Sequence, residues 1–288
     1  MKESFGDRVF NAFNILILAL VAICTFFPLY YVLVVSFTDP TEYLKSKFII
    51  FPRHWSLASY EYLFSTRAFL NSVGVSAFLA VVGTACSLVV SSSLAYVLSR
   101  KRLRGRRIIL MLILITILFN PGIIPNYLLV RNLNLINSLW SLILPALTSG
   151  WYIMLMKGFF DSIPQELEES ASIDGCNDIA IWIKIILPLS LPSLAAFGLF
   201  FAVGYWNQFF NALLYLTDSS KWPIQVLLQN MLIGANNTEL SSDVFVQPPP
   251  AETLKMAAVV VATVPILLVY PFLQKHFAKG AMVGSVKG

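Results

Sequence analysis

The densest group of chemically capable side chains is a run of carboxylates, Glu166, Glu168, Glu169 and Asp174. It lies in the polar stretch SIPQELEESASIDGCNDIAIWIKIILP, from Ser162 to Pro188. The chain contains no Cys/His cluster at metal-ligand spacing, no HExxH and no GxSxG. A second group lies in the apolar run GYWNQFFNALLY, where Gly204, Gln208, Asn211 and Tyr215 share one helical face with Asn207 beside them and Trp206 adjacent. Amides with aromatic rings suit sugars, whose hydroxyls need hydrogen bonds while their C–H faces stack on rings. The same amides could instead join neighbouring helices, and both readings stand for Asn207, Gln208 and Asn211. A third group, Asn120-Pro121-Gly122 followed by Pro125, Asn126 and Tyr127, combines polar groups with helix breakers. No GxxxxGK[ST] occurs, so the chain has no phosphate loop with which to hydrolyse ATP. His54 and His276 read as surface residues.

The elements that would position the carboxylates can be read from their neighbours. Ser162 with Gln165 three residues on predicts a capping box, with Pro164 in the first turn. Ile163, Leu167 and Ala171 form an apolar stripe at four-residue spacing. The glutamates load the N-terminal half, where the helix dipole favours them. Asp174-Gly175 ends the helix, Asn177 or Asp178 caps a second one, and Pro188 interrupts that. A helix–turn–helix of this kind, outside the membrane plane, is built to be gripped.

The rest of the chain is apolar. Of 288 residues 57% are hydrophobic and 12% charged, with mean hydropathy +0.74; soluble domains carry about 25% charge, so this is a membrane protein. Runs of about 20 apolar residues mark spanning helices. Six are predicted, at about 12–36, 71–98, 108–130, 139–157, 191–216 and 256–274, with a loop at 158–190. The first is too long for the apolar core of a signal peptide and lacks a small-residue cleavage site before Pro28, so it reads as an uncleaved anchor. Thirteen of the 20 Lys and Arg fall in the N-terminus, the 99–107 and 157–190 loops and the tail after 274; the cluster Arg100, Lys101, Arg102, Arg104, Arg106 and Arg107 dominates. That bias places both termini in the cytoplasm. The outer loops are then 37–70 and 217–255, the latter stiffened by Pro248-Pro249-Pro250. Cys24, Cys86 and Cys176 cannot all pair, and no disulfide framework is expected. Although the pI is about 9.1, no basic stripe interleaved with stacking aromatics points to nucleic acid.

No Asp, Glu, Lys, Arg or His lies between Asn11 and Phe37 or in the cores of the other five spans. Proton-driven secondary transporters usually need such a residue. The paired prolines near 121–125 kink or break the third span, which a bilayer tolerates only where protein or a cavity satisfies the freed backbone.

Glu169-Ser170-Ala171, then Gly175, Ile185 and Leu187-Pro188, resembles the EAA motif E-A-A-x3-G-x9-I-x-L-P of ABC importer permeases, with Ser170 replacing one alanine by another small residue. Pro28, Asn71-Ser72, Ala95-Tyr96 before Ser99-Arg100, Gly105-Arg106, Trp206-Asn207 and Val286-Lys287-Gly288 resemble the carbohydrate-uptake members, the MalG-like group and its LplC-like branch. The resemblance covers nearly the whole chain. It implies an all-α integral membrane fold of six helices, the type I importer permease fold, in the bacterial cytoplasmic membrane. It also implies partners: a second non-identical permease, an ATPase dimer that binds ATP and Mg, and an extracellular solute-binding protein delivering a sugar or oligosaccharide. No cofactor belongs to this chain. Glu168, Glu169, Ser170, Ala171, Asp174, Gly175, Ile185, Leu187 and Pro188 would form the ATPase-coupling loop, and Asn120, Tyr127, Trp206, Asn207, Gln208, Asn211 and Tyr215 the pathway. The 217–255 loop corresponds to one that enters the binding protein in maltose-type relatives, here with its own insert around 236–250. The tail after His276 would lie against the ATPase. Two alternatives stay open: a self-contained secondary transporter or channel, although no pair of similar halves is evident, and the same architecture carrying a non-sugar solute.

Overall fold

Proline and glycine decide where several of the apolar runs bend. The computed structural model describes residues 5–46, 48–233 and 249–284. They are helical, with one isolated antiparallel bridge between Thr38 and Trp55 and no strands among the described residues. Readings that rest on Lys2, Arg8, the 236–248 insert, His276 and Val286-Lys287-Gly288 fall outside the described residues or side chains.

Two compact units form, one within Met1–Leu70 and Asn230–Val264, the other within Asn71–Gln229 and Pro265–Gly288. In the first unit the Phe5–Ser36 helix leaves its apolar side chains exposed from Phe10 to Leu29, a surface that needs lipid or another chain around it. Tyr30, Tyr31 and Val32 are half-buried, and Val34 and Val35 are buried. After it Asp39 caps the short Pro40–Lys45 helix through the Thr41 amide, and Glu42 accepts the backbone N–H of Arg53 and His54. These bonds act together with packing: Ile49, Tyr62 and Leu63 are buried, and the Phe37 ring meets those of Trp55 and Tyr60. The Thr41 hydroxyl and amide hold the Asp39 carboxyl below its ordinary value, and the two backbone donors do the same for Glu42.

The Arg67–Ser99 helix, whose residues from Asn71 on belong to the second unit, is continuous and runs through a wide π turn at Leu79–Gly83. A π turn marks local strain or function. Here it brings the backbone against the Tyr205 ring, where a Cβ on Gly83 would sit 2.7 Å from ring carbons. Tyr205 also pairs with the Ser87 hydroxyl at 2.9 Å, joining this helix to Leu191–Trp206. Gly150 permits a similar approach of the Gly150–Asp161 helix to Ile117.

Among the described residues three helices can cross a membrane by length and composition, Phe10–Ser36, Arg67–Ser99 and Ala251–Val269, or up to six if each bent pair is one span. The third span breaks as its prolines predict, into Arg106–Leu118 and Ile123–Asn132 at 118°. Gly122, at φ 87°, makes the corner. The fourth, expected to be continuous over 139–157, divides into Trp140–Ala146 and Gly150–Asp161. The fifth stops at Trp206, not 216: Asn207 takes the C-cap and a second helix starts at Phe210. The shared face drawn from Gly204 through Tyr215 therefore does not exist as one helix face. The sixth begins at Ala251, five residues before the expected 256. The expected outer loop 217–255 contains a buried helix, Ile224–Ile233, with Ile224, Val226, Leu227 and Met231 inside. Its IQVLLQNMLI pattern is amphipathic but too short to register as a span.

Candidate functional site

The polar 158–190 loop is held by a turn at each end. Ser162 does not open a capping box. It lies at φ −81° and ψ −11°, its N–H and hydroxyl both bond to Phe159 O, and it closes the Gly150–Asp161 helix. An N-cap that accepts through its side chain typically has an extended backbone, whereas this serine is committed to the preceding helix. The loop helix accordingly runs Glu166–Ile173, starting from the Gln165 carbonyl, with Glu166, Glu168 and Glu169 in its first turn. Its end is a Schellman motif: Cys176 N–H reaches Ala171 O at 2.9 Å and Gly175 N–H reaches Ser172 O at 3.1 Å. Gly175 sits at φ 85°, a left-handed position that only glycine occupies cheaply. Asn177, not Asp178, caps the following helix, accepting from Ala180 N–H at 2.8 Å. The helical run continues through a π turn at Trp182–Ile186 and past Pro188, then bends by 86° at Ser190 into Leu191–Trp206. Pro188 does not break it. The bend falls where Pro192, lacking an N–H, enters the next helix.

Because the helix starts at 166, Ile163 lies outside it and the expected stripe does not form. Glu168 and Ala171 face inward, while Leu167 is 42% exposed. Glu169, Ser170, Asp174, Gly175 and Pro188 are exposed, and Ile185 and Leu187 are half-buried. Ile173, at 86%, is among the most exposed apolar side chains, with Ile179 and Ile183 also outward. The outer face is therefore mixed acidic and apolar, with small residues at its turn.

Glu168, which the resemblance names among the coupling-loop residues, is turned onto Arg100. That arginine follows the Thr84–Ser99 helix and is 8% exposed. Its Nε donates to Ser99 Oγ at 2.9 Å and its Nη2 to Phe160 O at 3.3 Å, and the guanidinium lies 4.8 Å from the Tyr96 ring centre. Burial pulls its pKa below the ordinary value, yet a guanidinium stays charged at neutral pH. Arg102 pairs with Asp178, and Arg106 lies 4.0 Å from Asp161 while donating to Leu98 O at 2.6 Å. Half of the arginine cluster, read from sequence only as a topology signal, thus ties the 99–107 loop to the 158–190 loop. Two recesses of about 470 and 550 Å³ flank the Arg100–Glu168 pair.

The polar groups of the spans separate into a cluster and an outlier. At the break in the fifth span Asn207 Oδ1 accepts from Gln225 Nε2 at 3.1 Å, and Asn211 Nδ2 lies 3.5 Å from Gln208 Oε1. Asn207 thus bridges two helices while remaining exposed. The Tyr127 and Tyr215 rings meet at 6.3 Å, bringing the third and fifth spans together. Trp206 and Tyr215 are buried. Asn120 stands apart, its side chain accepting the Gly122 N–H at 2.9 Å. Gln225, which sequence reasoning missed, is placed there by the unforeseen Ile224–Ile233 helix.

Comparison with known proteins agrees with this architecture. Residues 87–283 match the family described as binding-protein-dependent transport system inner membrane component. The chain is 46% identical to Protein LplC of Bacillus subtilis (strain 168) over all of its own length and 98% of that protein. It is 48% identical to the polygalacturonan/rhamnogalacturonan transport system permease protein YtcP of the same organism, covering all of both chains. Among solved structures it resembles a bacterial ABC transporter involved in the import of the acidic polysaccharide alginate. The TM-score is 0.88 at 31% identity, over 96% of this chain and 99% of that one. The chain belongs to the family of binding-protein-dependent transport system inner membrane components.

Proposed function

We propose that this chain is a permease subunit of an ATP-driven importer of sugars or oligosaccharides in the bacterial cell membrane. It spans the membrane several times with both termini in the cytoplasm. It forms the pathway with a second, non-identical permease. A separate ATPase dimer, holding ATP and Mg, drives it through the 158–190 loop, and an extracellular binding protein delivers the solute. The observation that carries this reading is the end-to-end match to a permease named for polygalacturonan and rhamnogalacturonan transport.

The loop geometry supports the coupling role. Leu167, Glu169, Ser170, Ile173, Asp174 and Gly175 offer an exposed face on a helix fixed from behind by Glu168 and Ala171. Asn207, Gln208, Asn211 and Gln225 offer amides for solute hydroxyls at the break in the fifth span. Trp206 and Tyr215, being buried, shape the wall behind them. Co-purification with the binding protein and a ligand screen on that protein, including uronic-acid oligosaccharides, tests the substrate class. Reconstitution of this chain alone in liposomes tests the mechanism. Solute flux without any ATPase overturns it, and binding protein that ignores every saccharide overturns the sugar assignment.

A further inference from the structure

A loop gripped by an ATPase moves the spans only if its displacement is not absorbed by the turns that flank it. The loop helix Glu166–Ile173 has such a turn on each side, at 162–165 and at 174–177. Besides the packing of buried Ala171, a single polar side chain ties it to the spans. Arg100 leaves the cytoplasmic end of the Thr84–Ser99 helix and reaches three acceptors: Ser99 Oγ, Phe160 O in the last turn of Gly150–Asp161, and Glu168 in the loop helix. The Tyr96 ring backs its face at 4.8 Å. Among the described residues the Tyr96 hydroxyl has no hydrogen-bond partner, and this buried tyrosine meets Arg100 through its ring.

The other two ion pairs between the loops differ in kind. Arg102–Asp178 is 61% and 63% exposed, and Arg106–Asp161 is a 4.0 Å contact, both in the range where surface pairs contribute little. The Arg100–Glu168 side chains are 9% and 11% exposed. Removing one partner there strands a buried charge.

We propose that Arg100 is a positioning residue for energy coupling: through Glu168 it locks the loop helix to the ends of two spanning helices, so that ATPase-driven motion of the loop is passed to them. This rests on the coupling role proposed above and assigns Glu168 inward, to the strut, instead of to the ATPase surface. From Arg100 the load path continues along the Arg67–Ser99 helix to its π turn, where Gly83 and Ser87 meet Tyr205 of the fifth span. A lysine carries the charge but not the planar fork, and cannot serve three acceptors in fixed directions.

The test uses the whole reconstituted transporter with its ATPase and binding protein, reading solute imported per ATP hydrolysed. Arg100→Lys and Glu168→Gln are expected to assemble and to lose roughly tenfold or more of that ratio. Arg102→Gln, at the exposed pair, is expected to stay within about twofold. Wild-type import per ATP in an assembled Arg100→Lys or Glu168→Gln transporter overturns the inference. So does loss of assembly in both, which makes the pair a folding element. A cysteine at exposed Ile173, crosslinked to the ATPase, separates the two readings. No crosslink in the wild-type background sinks the coupling role itself, whereas a crosslink with normally coupled Arg100→Lys sinks only the strut.

Discussion

Gly175 allows backbone strain and partner contact to be measured separately. It holds φ at 85° and closes the Schellman motif, and a Cβ built on it meets nothing within 4 Å. Alanine and arginine therefore carry the same backbone penalty in the isolated chain, about 1–2 kcal/mol for a left-handed L-residue, with no steric addition. That penalty corresponds to a factor of about 5–30 in the population of the intact turn. Asparagine, which visits the left-handed region more readily, loses less. Hydrogen exchange at the Cys176 amide, which donates to Ala171 O, reads the turn directly. Protection is expected to fall equally in Gly175→Ala and Gly175→Arg and to be largely kept in Gly175→Asn. Uptake by the full transporter reads the second effect: Gly175→Ala reduced, Gly175→Arg abolished and its assembly with the ATPase lost. Equal uptake in the Ala and Arg variants refutes close approach of a partner at this turn. Unchanged protection in Gly175→Ala refutes the strain argument.

Three further perturbations follow from contacts within the fold. Gly83→Ala drives a Cβ into the Tyr205 ring and is expected to destabilise by about 1–3 kcal/mol, whereas Gly74→Ala, with nothing within 4 Å, leaves thermal unfolding unchanged or raised. Asn207→Ala removes the 3.1 Å bond to Gln225, worth about 0.6 kcal/mol within a membrane; assembly should hold while uptake kinetics change, and failure of assembly instead marks the residue as helix glue. Acid should loosen the 37–66 segment. Asp39 and Glu42 are held below their ordinary values, so their contribution is present above the ordinary carboxylate range and is lost as pH falls through the lowered values. Hydrogen exchange at the amides of Thr41, Arg53 and His54, once corrected for the intrinsic pH dependence, should rise in that window. Protection that persists there contradicts the assignment.

Sequence was sufficient wherever a property depends on neighbours along the chain. Apolar run length anticipated the long apolar helices Phe10–Ser36, Arg67–Ser99 and Ala251–Val269, Asn120-Pro121-Gly122 announced the broken third span, and Asp174-Gly175 announced the end of the loop helix. Each is a local consequence of hydropathy or backbone stereochemistry. It was insufficient where the same residue has two uses that only packing separates. Ser162 could begin one helix or finish another, and its bonds to Phe159 decided it. Asn207 ended a helix that periodicity would have carried to Tyr215. Ile224–Ile233 looked like part of a loop because ten residues are too few to span, yet burial makes it a core helix. The arginine cluster shows the limit most clearly. Its charge and position fix a topology signal, but nothing along the chain links Arg100 to Glu168, 68 residues away. Only the fold brings that guanidinium out of water and onto one carboxylate, because a buried charge is tolerable solely where a partner awaits it.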